Sequence, residues 1–374
     1  MDRMNILFVV CGEGLGHASR STKLAKHLKE RGVDCIFAAY GKAYSFIQNQ
    51  TDCKVYEISR EVTLEGTGGY FSITETLKSS FGIPVSLVKS FITAWKIIKK
   101  ENVDAVVCDT MFAAGVAAKI LKVPVLFMTN QNYFSSLAEP DVWYWKLFGK
   151  VIRTYLSIVP KKILVPDFAP PNTISGYNFR FTEKDKGRYV FIGPILDSAI
   201  HDVETSEDIV FASFGGEPFK MPLYAMLKEI SEMDSSLEVE VFSTSPGLPS
   251  EGENFKIAGY VESIFPYMAS AKLAIIHGGL TSLHEAIYFG KPVLLIIDPY
   301  HPEQGNNGRK VEELGCGMMI RGDEVTKESL YEAILSCMKM EVCDTHRALW
   351  RAPAGKDGSV LQAPQCLVPQ DPGQ

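Results

Sequence analysis

No two cysteines of this chain form a CxxC pair. The 8 cysteines are spread singly, at Cys11, Cys35, Cys53, Cys108, Cys316, Cys337, Cys343 and Cys366. Neither a zinc site nor a thioredoxin-like motif is indicated by that spacing. Several lie in or beside apolar runs, where a thiol packs as a small hydrophobe. Reduced structural thiols are the expectation. Positive charge is also short: 38 Lys and Arg against 44 Asp and Glu give a net charge of -6. A general nucleic-acid binder needs a basic surface, so that class is set aside, with a local basic patch left open. The apolar run Ile6-Leu7-Phe8-Val9-Val10 is too short for a signal-peptide core and lacks a small-residue cleavage site. No apolar stretch reads as long enough to cross a bilayer as a helix. The expectation is a cytoplasmic protein whose only membrane contact would be peripheral, on the inner face.

What is present points to two α/β units. The chain has 374 residues, more than one core usually serves, with 46% hydrophobic and 22% charged residues. Short runs rich in Val, Ile, Phe and Leu recur at 6–10, 35–39, 104–108, 125–128, 208–214, 239–243, 273–276 and 293–297. Several are continuous rather than alternating, which suits strands buried on both faces of a parallel sheet. Longer amphipathic segments between them read as helices, among them Ala18 to Arg31, Thr281 to Phe289 and Thr326 to Met338. The alternation predicts doubly wound sheets. It pauses between Pro166 and Pro194, a stretch punctuated by Pro and Gly. The expected division is a first domain at 1–170, a join at 171–194, part of it open to being a final strand of the first domain, and a second domain at 195–340. The end, 341–374, is rich in Pro, Gly, Gln and Ala without helical period, and is expected to be irregular.

Three stretches carry chemistry. The first strand runs into Cys11-Gly12-Glu13-Gly14-Leu15-Gly16-His17 and then a helix. Glycines there permit positive φ and close approach, and a helix start offers free N–H groups to an anion. The dinucleotide fingerprint needs a third glycine where this chain has His17, which weakens that reading. Gly215-Gly216 ends the strand at 208–214 in the same way. The third stretch runs from Ile275 to Asn307. Its strand ends at His277, Gly278 and Gly279 make a turn, and Thr281 and Ser282 stand where a helix begins. Glu285, three residues after Ser282, has two readings: a local capping box, or a carboxylate that accepts paired sugar hydroxyls.

His277, Gly279, Ser282, Glu285, Gly290, Pro292, Glu303, Gln304 and Asn307 together resemble the donor signature of the UDP-glycosyltransferases, which begins HxGxxSxxE. The chain up to about Leu335 also looks like that superfamily, which includes the peptidoglycan-pathway N-acetylglucosaminyltransferases. Its GxGLGHxxR segment is similar to that of uncharacterised archaeal glycosyltransferases. The resemblance implies a GT-B fold, two Rossmann-like domains facing a cleft. It implies that His277, Thr281 and Ser282 hold a diphosphate, Glu285 the ribose, and Glu303 and Gln304 the donor sugar. Tyr260 and Val261 would adjoin the base. His17 matches the family's catalytic base and Asp109 the residue that orients it. The implied reaction is inverting transfer from a UDP-sugar, a co-substrate rather than a resident cofactor, to a hydroxyl acceptor. No metal is demanded, since loop amides and a helix end can meet the diphosphate charge. Two departures stand out: Leu280-Thr281 replaces the common Trp-Asn, and the segment after Met340 does not read as the helix that often crosses back to the first domain.

Segments 84–100 and 142–162 mix aromatic and aliphatic residues with Lys and Arg. Such helices lie on anionic membranes in some proteins and pack on cores in more. A lipid-linked acceptor is therefore one option. For the remainder of Asp109, a strand-end turn residue is the competing reading. Two other functions stay open: a non-hydrolysing UDP-sugar 2-epimerase, and a nucleotide-sugar-binding subunit without turnover.

Overall fold

A computed structural model describes residues 3–340 apart from Leu64, Gly68, Gly69, 197–202, Thr205, Glu207, 215–219, Tyr260 and Glu262. The first half opens with β1 (Asn5–Val10), α1 (Gly16–Lys29), β2 (Asp34–Ala39), α2 (Gly41–Gln50) and β3 (Lys54–Glu57). A small antiparallel pair, β4 (Gly66–Thr67) and β5 (Tyr70–Phe71), leads to α3 (Ile73–Ser79) and α4 (Ile83–Lys100). Then come β6 (Ala105–Asp109), α5 (Ala113–Ile120), β7 (Val125–Met128), α6 (Trp143–Ile158), β8 (Lys162–Val165) and β9 (Tyr189–Phe191). The second half holds β10 (Ile209–Ser213), α7 (Met221–Met233), β11 (Val239–Val241), β12 (Phe255–Ile257), α8 (Phe265–Ala269) and β13 (Ala271–Ile276). It ends with α9 (Leu280–Tyr288), β14 (Val293–Ile297), α10 (Gln304–Glu313), β15 (Gly317–Arg321) and α11 (Lys327–Cys337).

Two parallel sheets result. The first runs β3-β2-β1-β6-β7-β8-β9 and the second β12-β11-β10-β13-β14-β15. This is the expected GT-B arrangement of two Rossmann-like domains. The continuous apolar runs are explained by burial on both faces. In β1, Leu7 and Val9 face the core under α4, α5 and α6, while Ile6, Phe8 and Val10 face the core under α1 and α2. The second sheet divides likewise: Phe211, Ile276 and Leu295 face α8 and α9, and Val210, Ile275 and Leu294 face α7 and α11. Filling both sides of a strand in this way stabilises by ~2 kcal/mol for each large side chain removed from water.

Strand order reverses between β1 and β6, and again between β10 and β13. Crevices at the carboxyl ends of such strands are where open α/β sheets bind ligands. Both crevices open onto one cleft. Across it the domains meet through polar contacts: Asn130 Nδ2 donates to Glu303 Oε1 at 2.6 Å, Asn178 Nδ2 to Asn307 Oδ1 at 2.9 Å, and the Ala138 N–H to the Pro299 carbonyl at 2.9 Å.

Strand β9 lies inside 171–194, so the option that part of the join is a final strand of the first domain holds. Two expectations need adjusting. Helix α1 starts at Gly16 rather than Ala18, which brings His17 into its first turn. The helical stretch Ser80–Lys100 spans 21 residues with mean hydropathy 1.4, long and apolar enough to cross a bilayer by length and composition, contrary to the sequence reading. Here it packs along α5, with Ser90, Ala94, Ile97 and Ile98 buried, and carries Lys89, Lys96, Lys99 and Lys100. The segment 341–374 lies outside the described residues, as do Cys343 and Cys366.

Candidate active site

The cleft holds a cavity of about 1160 Å³. That exceeds a typical small-molecule site, roughly 300–1,000 Å³, so a nucleotide sugar leaves room for part of a second substrate. Gly14, Gly16, His17, Val261, His277, Gly279, Thr281, Ser282, Glu285, Glu303 and Gln304 all line it. Gly278 is buried behind the wall, where its φ of 82° makes the turn. Gly215, Gly216 and Tyr260 lie outside the described residues.

On the first domain the chain leaves β1, turns at Gly14 with φ 75°, and enters α1. No side chain caps that helix and no acidic residue occupies its first turn, so its N–H groups and partial positive charge remain available. His17 projects from this turn. Its Nδ1 lies 2.7 Å from Asp109 Oδ1, at the end of β6. Asp109 is fully buried. It accepts from Arg20 Nε at 2.7 Å and from Ser21 Oγ at 3.1 Å, and its other oxygen also meets Arg20 Nη2. Burial alone would raise the Asp109 pKa, but the Arg20 guanidinium, followed by His17, outweighs it and holds the carboxyl well below the usual range. The side chain of Asp109 thus organises three others, which is more than a strand-end turn requires.

Arg20 Nη2 also lies 2.9 Å from His17 Nδ1. One ring nitrogen cannot donate to Asp109 and accept from Arg20 together. The Asp109 carboxylate is nearer and can only accept, so its 2.7 Å contact requires that Nδ1–H donates to it, while Arg20 Nη2 donates to the same carboxylate. With Nδ1–H committed to Asp109, Nε2 is the ring nitrogen left to exchange a proton with a group in the cavity.

The second domain presents α9 opposite α1. A Cβ placed on Gly16 would lie 3.6 Å from the Thr281 hydroxyl, so the two helix starts face one another at close range. Gly279 occupies the N-cap of α9 with no side-chain cap, and Ser282 sits inside the first turn. The capping-box reading of Ser282 and Glu285 is excluded by that register. A Cβ on Gly279 would come within 2.7 Å of His277 Nε2, so glycine is needed to keep the imidazole in place. Burial, then the Lys220 charge, pushes His277 down to about 4. Its Nδ1 is buried without a hydrogen bond of normal geometry, and the Ser213 backbone is the one neighbour favouring its charged form. His301, which also lines the cavity, is pushed down to about 4 by burial and then by Lys220. At neutral pH both rings are therefore neutral, and Lys220 carries the positive charge of this corner.

Glu285 is buried and its Oε1 lies 3.1 Å from Lys23 Nζ of α1. The carboxylate expected to hold a ribose thus bridges the domains in this structure. Lys23 Nζ also lies 5.4 Å from the Phe265 ring centroid. Glu303 accepts from Asn130 and, at 3.1 Å, from Asn307, both through Oε1. Burial raises the Glu303 pKa, against the lowering effect of the Asn307 bond. Gln304 lines the cavity, yet its Oε1 accepts from the Asp298 N–H at 2.8 Å, which makes it partly a loop brace. Asn307 is wholly buried and donates to the Gly278 carbonyl at 3.0 Å, fixing the glycine turn from behind.

Lys23, Lys220, His301 and Asn130 line this cavity without having been singled out from the sequence, and Arg20, the last residue of GxGLGHxxR, lines it without a role having been assigned to it. Arg20 follows His17 by three residues, a helical spacing that could have indicated it. The others reach the site through tertiary packing, and no local pattern marks them.

The depressed histidines give a pH prediction. Between about pH 6.5 and 4, His277 and His301 are charged in the unfolded chain but neutral in the folded one. The unfolded state then binds more protons, so stability falls as pH falls through that window. Melting temperature measured across it should drop less steeply for a His277→Gln/His301→Gln variant than for the unaltered protein. Parallel curves would refute the assignment.

Comparisons with known proteins identify the family. Residues 229–347 match the glycosyltransferase family 28 C-terminal domain. An uncharacterized glycosyltransferase of Methanosarcina mazei is 30% identical over 352 residues, covering 90% of this chain and 89% of its own. The UDP-N-acetylglucosamine–N-acetylmuramyl-(pentapeptide) pyrophosphoryl-undecaprenol N-acetylglucosamine transferase of Thermosipho africanus is 26% identical over 236 residues, covering 62% of each chain. Among solved structures, the glycotransferase of kitacinnamycin matches with a TM-score of 0.72 at 15% identity, over 98% of this chain and 99% of that one, a likeness of fold. The chain belongs to the UDP-glycosyltransferase superfamily and is a glycosyltransferase of the GT-B fold.

Proposed function

We propose that the protein transfers a sugar from a UDP-sugar to a hydroxyl acceptor, with inversion at the anomeric carbon. The observation that carries this reading is the facing of two uncapped helix starts, α1 with the His17–Asp109 pair and α9 with His277, Thr281 and Ser282. UDP as the nucleotide is supported by the family and by the donor named in the Thermosipho relative.

In this mechanism the donor diphosphate lies at the start of α9, against Thr281, Ser282, neutral His277 and the Lys220 charge. Glu285 accepts the ribose hydroxyls, sharing or exchanging its Lys23 partner. Glu303 and Gln304 face the donor sugar, and Val261 adjoins the base. The acceptor hydroxyl gives its proton to His17 Nε2, while Asp109 stabilises the imidazolium that forms. The acceptor oxygen bonds to the anomeric carbon as the bond from that carbon to the UDP oxygen breaks. Helix-start amides and Lys220 meet the charge on the departing diphosphate, so the step is proposed without a metal ion. The acceptor occupies the first-domain side of the cavity. A lipid-linked acceptor corresponds to the undecaprenol-linked substrate in the name of the Thermosipho protein. We place the protein in the cytoplasm, at most peripherally on the membrane.

A panel of nucleotide sugars tests this reading by thermal shift and by sugar release. UDP-sugars should stabilise the protein, by about 2.7 kcal/mol at a hundredfold excess over Kd. Glu285→Ala should lose most of that shift, because a buried carboxylate accepting two hydroxyls is removed. No response to any nucleotide would refute the proposal. Interconversion of the sugar without an acceptor would favour the epimerase instead.

A further inference from the structure

The β4–β5 hairpin belongs to the first domain, between β3 and α3, yet its second strand is bonded to the second domain. The Tyr70 hydroxyl donates to the Gly322 carbonyl, just past β15, and the Phe71 N–H donates to Asp298 Oδ2, just past β14. Both receiving groups are themselves fixed. Asp298 is buried, and its other oxygen accepts from the Tyr300 N–H at 2.9 Å. The Gly322 N–H donates to the Ile297 carbonyl at 2.8 Å. A Cβ on Gly322 would lie 3.2 Å from Tyr70 Cε1 and 3.0 Å from the Ile297 carbonyl oxygen, so glycine lets the tyrosine ring approach. On the first-domain side, the Ser72 N–H donates to the Glu65 carbonyl at 2.9 Å, and the Glu65 N–H to Thr76 Oγ1 of α3 at 3.0 Å. An isolated two-stranded hairpin is marginal in water. This one is tied at its base to α3 and across the cleft to two strand ends.

The tie places one large ring against the cavity. Phe71 is 9% exposed and lines the cavity, together with Glu65, Lys220, Asp298 and His301. Its ring stacks on Trp145 of α6 at 6.1 Å, and Trp145 stacks in turn on Phe134 at 6.2 Å. Buried aromatic layers leave Phe71 no room to withdraw on that side. In the other direction it meets His301 edge-on at 6.2 Å, and His301 Nδ1 accepts from the Glu303 N–H at 3.2 Å. Phe71, His301 and Glu303 thus follow one another along a single wall. A wall that is backed by packing and bonded at its backbone discriminates by size, where one methylene group changes affinity by roughly 10–200-fold.

We infer that this hairpin completes the donor-sugar pocket from the first domain, and that Phe71 limits the size of the sugar substituent admitted beside Glu303. The identity of the ligand rests on the transfer reading, in which Glu303 and Gln304 face the sugar. The bonding of the hairpin to the second domain does not. Phe71 is a specificity-determining residue in this inference and has no part in the proton transfer at His17.

The test measures Kd for the full chain by titration calorimetry with UDP, UDP-glucose, UDP-N-acetylglucosamine (larger at C2) and UDP-6-azido-6-deoxyglucose (larger at C6). Phe71→Ala should shift affinity by about tenfold or more toward one of the larger donors relative to UDP-glucose, while affinity for UDP alone stays nearly unchanged. Phe71→Leu, a milder change, should shift the same ratio less. Retained UDP affinity shows that each variant is folded, and the donor that responds shows which edge of the sugar faces Phe71. Amide exchange without ligand tests the tie separately. The Phe71 N–H should be protected, and Tyr70→Phe, which removes only the bond to Gly322, should lower that protection about fivefold. Binding of UDP with no change in ratio among the three donors would overturn the inference and leave the transfer reading intact. A Phe71 N–H that exchanges freely would overturn it too. Absence of any UDP binding would refute the transfer reading and the sugar pocket with it.

Discussion

Replacing His17 with alanine should lower sugar transfer by about 10²–10⁴-fold while leaving UDP-induced stabilisation nearly unchanged. The split follows from position. His17 belongs to α1 and its Nδ1 is held at 2.7 Å by Asp109, whereas His277, Thr281, Ser282 and Glu285 belong to the opposite domain. Removing the imidazole deletes the proposed proton acceptor and none of those second-domain groups. Turnover should therefore fall with little change in donor affinity, the pattern of a group that acts in the transition state. Comparable losses of affinity and turnover would assign His17 to donor binding. Full activity would remove it from the reaction, and the reading of the site as inverting with it.

Asp109→Ala should combine a loss of activity with a loss of fold stability of about 3–5 kcal/mol. The reason is Arg20. Its side chain is almost wholly buried and bonds Asp109 through Nε and Nη2. Without the carboxylate a buried guanidinium has lost its counter-charge, which costs far more than the pair contributes over an apolar replacement. A double variant, Arg20→Met/Asp109→Leu, separates the two roles. It should recover much of the stability, because apolar groups of similar volume replace a buried pair at little cost, yet it should stay inactive because nothing orients His17. If the double variant were both stable and active, the Asp109 carboxylate would be structural only. Chemical denaturation and initial rates on the same preparations measure both outcomes.

The second-domain wall of this cavity was legible in the sequence to a useful degree. His277, Gly279, Ser282, Glu285 and Asn307 lie within one strand–turn–helix–strand–loop unit, so local spacing carries their spatial relation. Even there the register mattered. Whether Ser282 caps a helix or stands inside its first turn depends on where α9 begins, and helix starts are read from sequence only to within a few residues. The carboxylate of Glu285 was identifiable, but its Lys23 partner was not, because Lys23 lies on the other domain.

By itself the sequence determined the class of fold and the family. Continuous apolar runs between amphipathic segments suit doubly covered parallel sheets, and the spaced His–Gly–Ser–Glu pattern resembles the family's donor signature. Tertiary structure alone decided three things: that His17, Arg20 and Asp109 form one buried network, that Lys220, His277 and His301 share a corner, and that Tyr70 and Phe71 of the first domain meet Gly322 and Asp298 of the second. In each case the residues come from segments far apart in the chain. Their effects depend on distance and burial, and those are set by packing between elements rather than by the order of residues within any one of them.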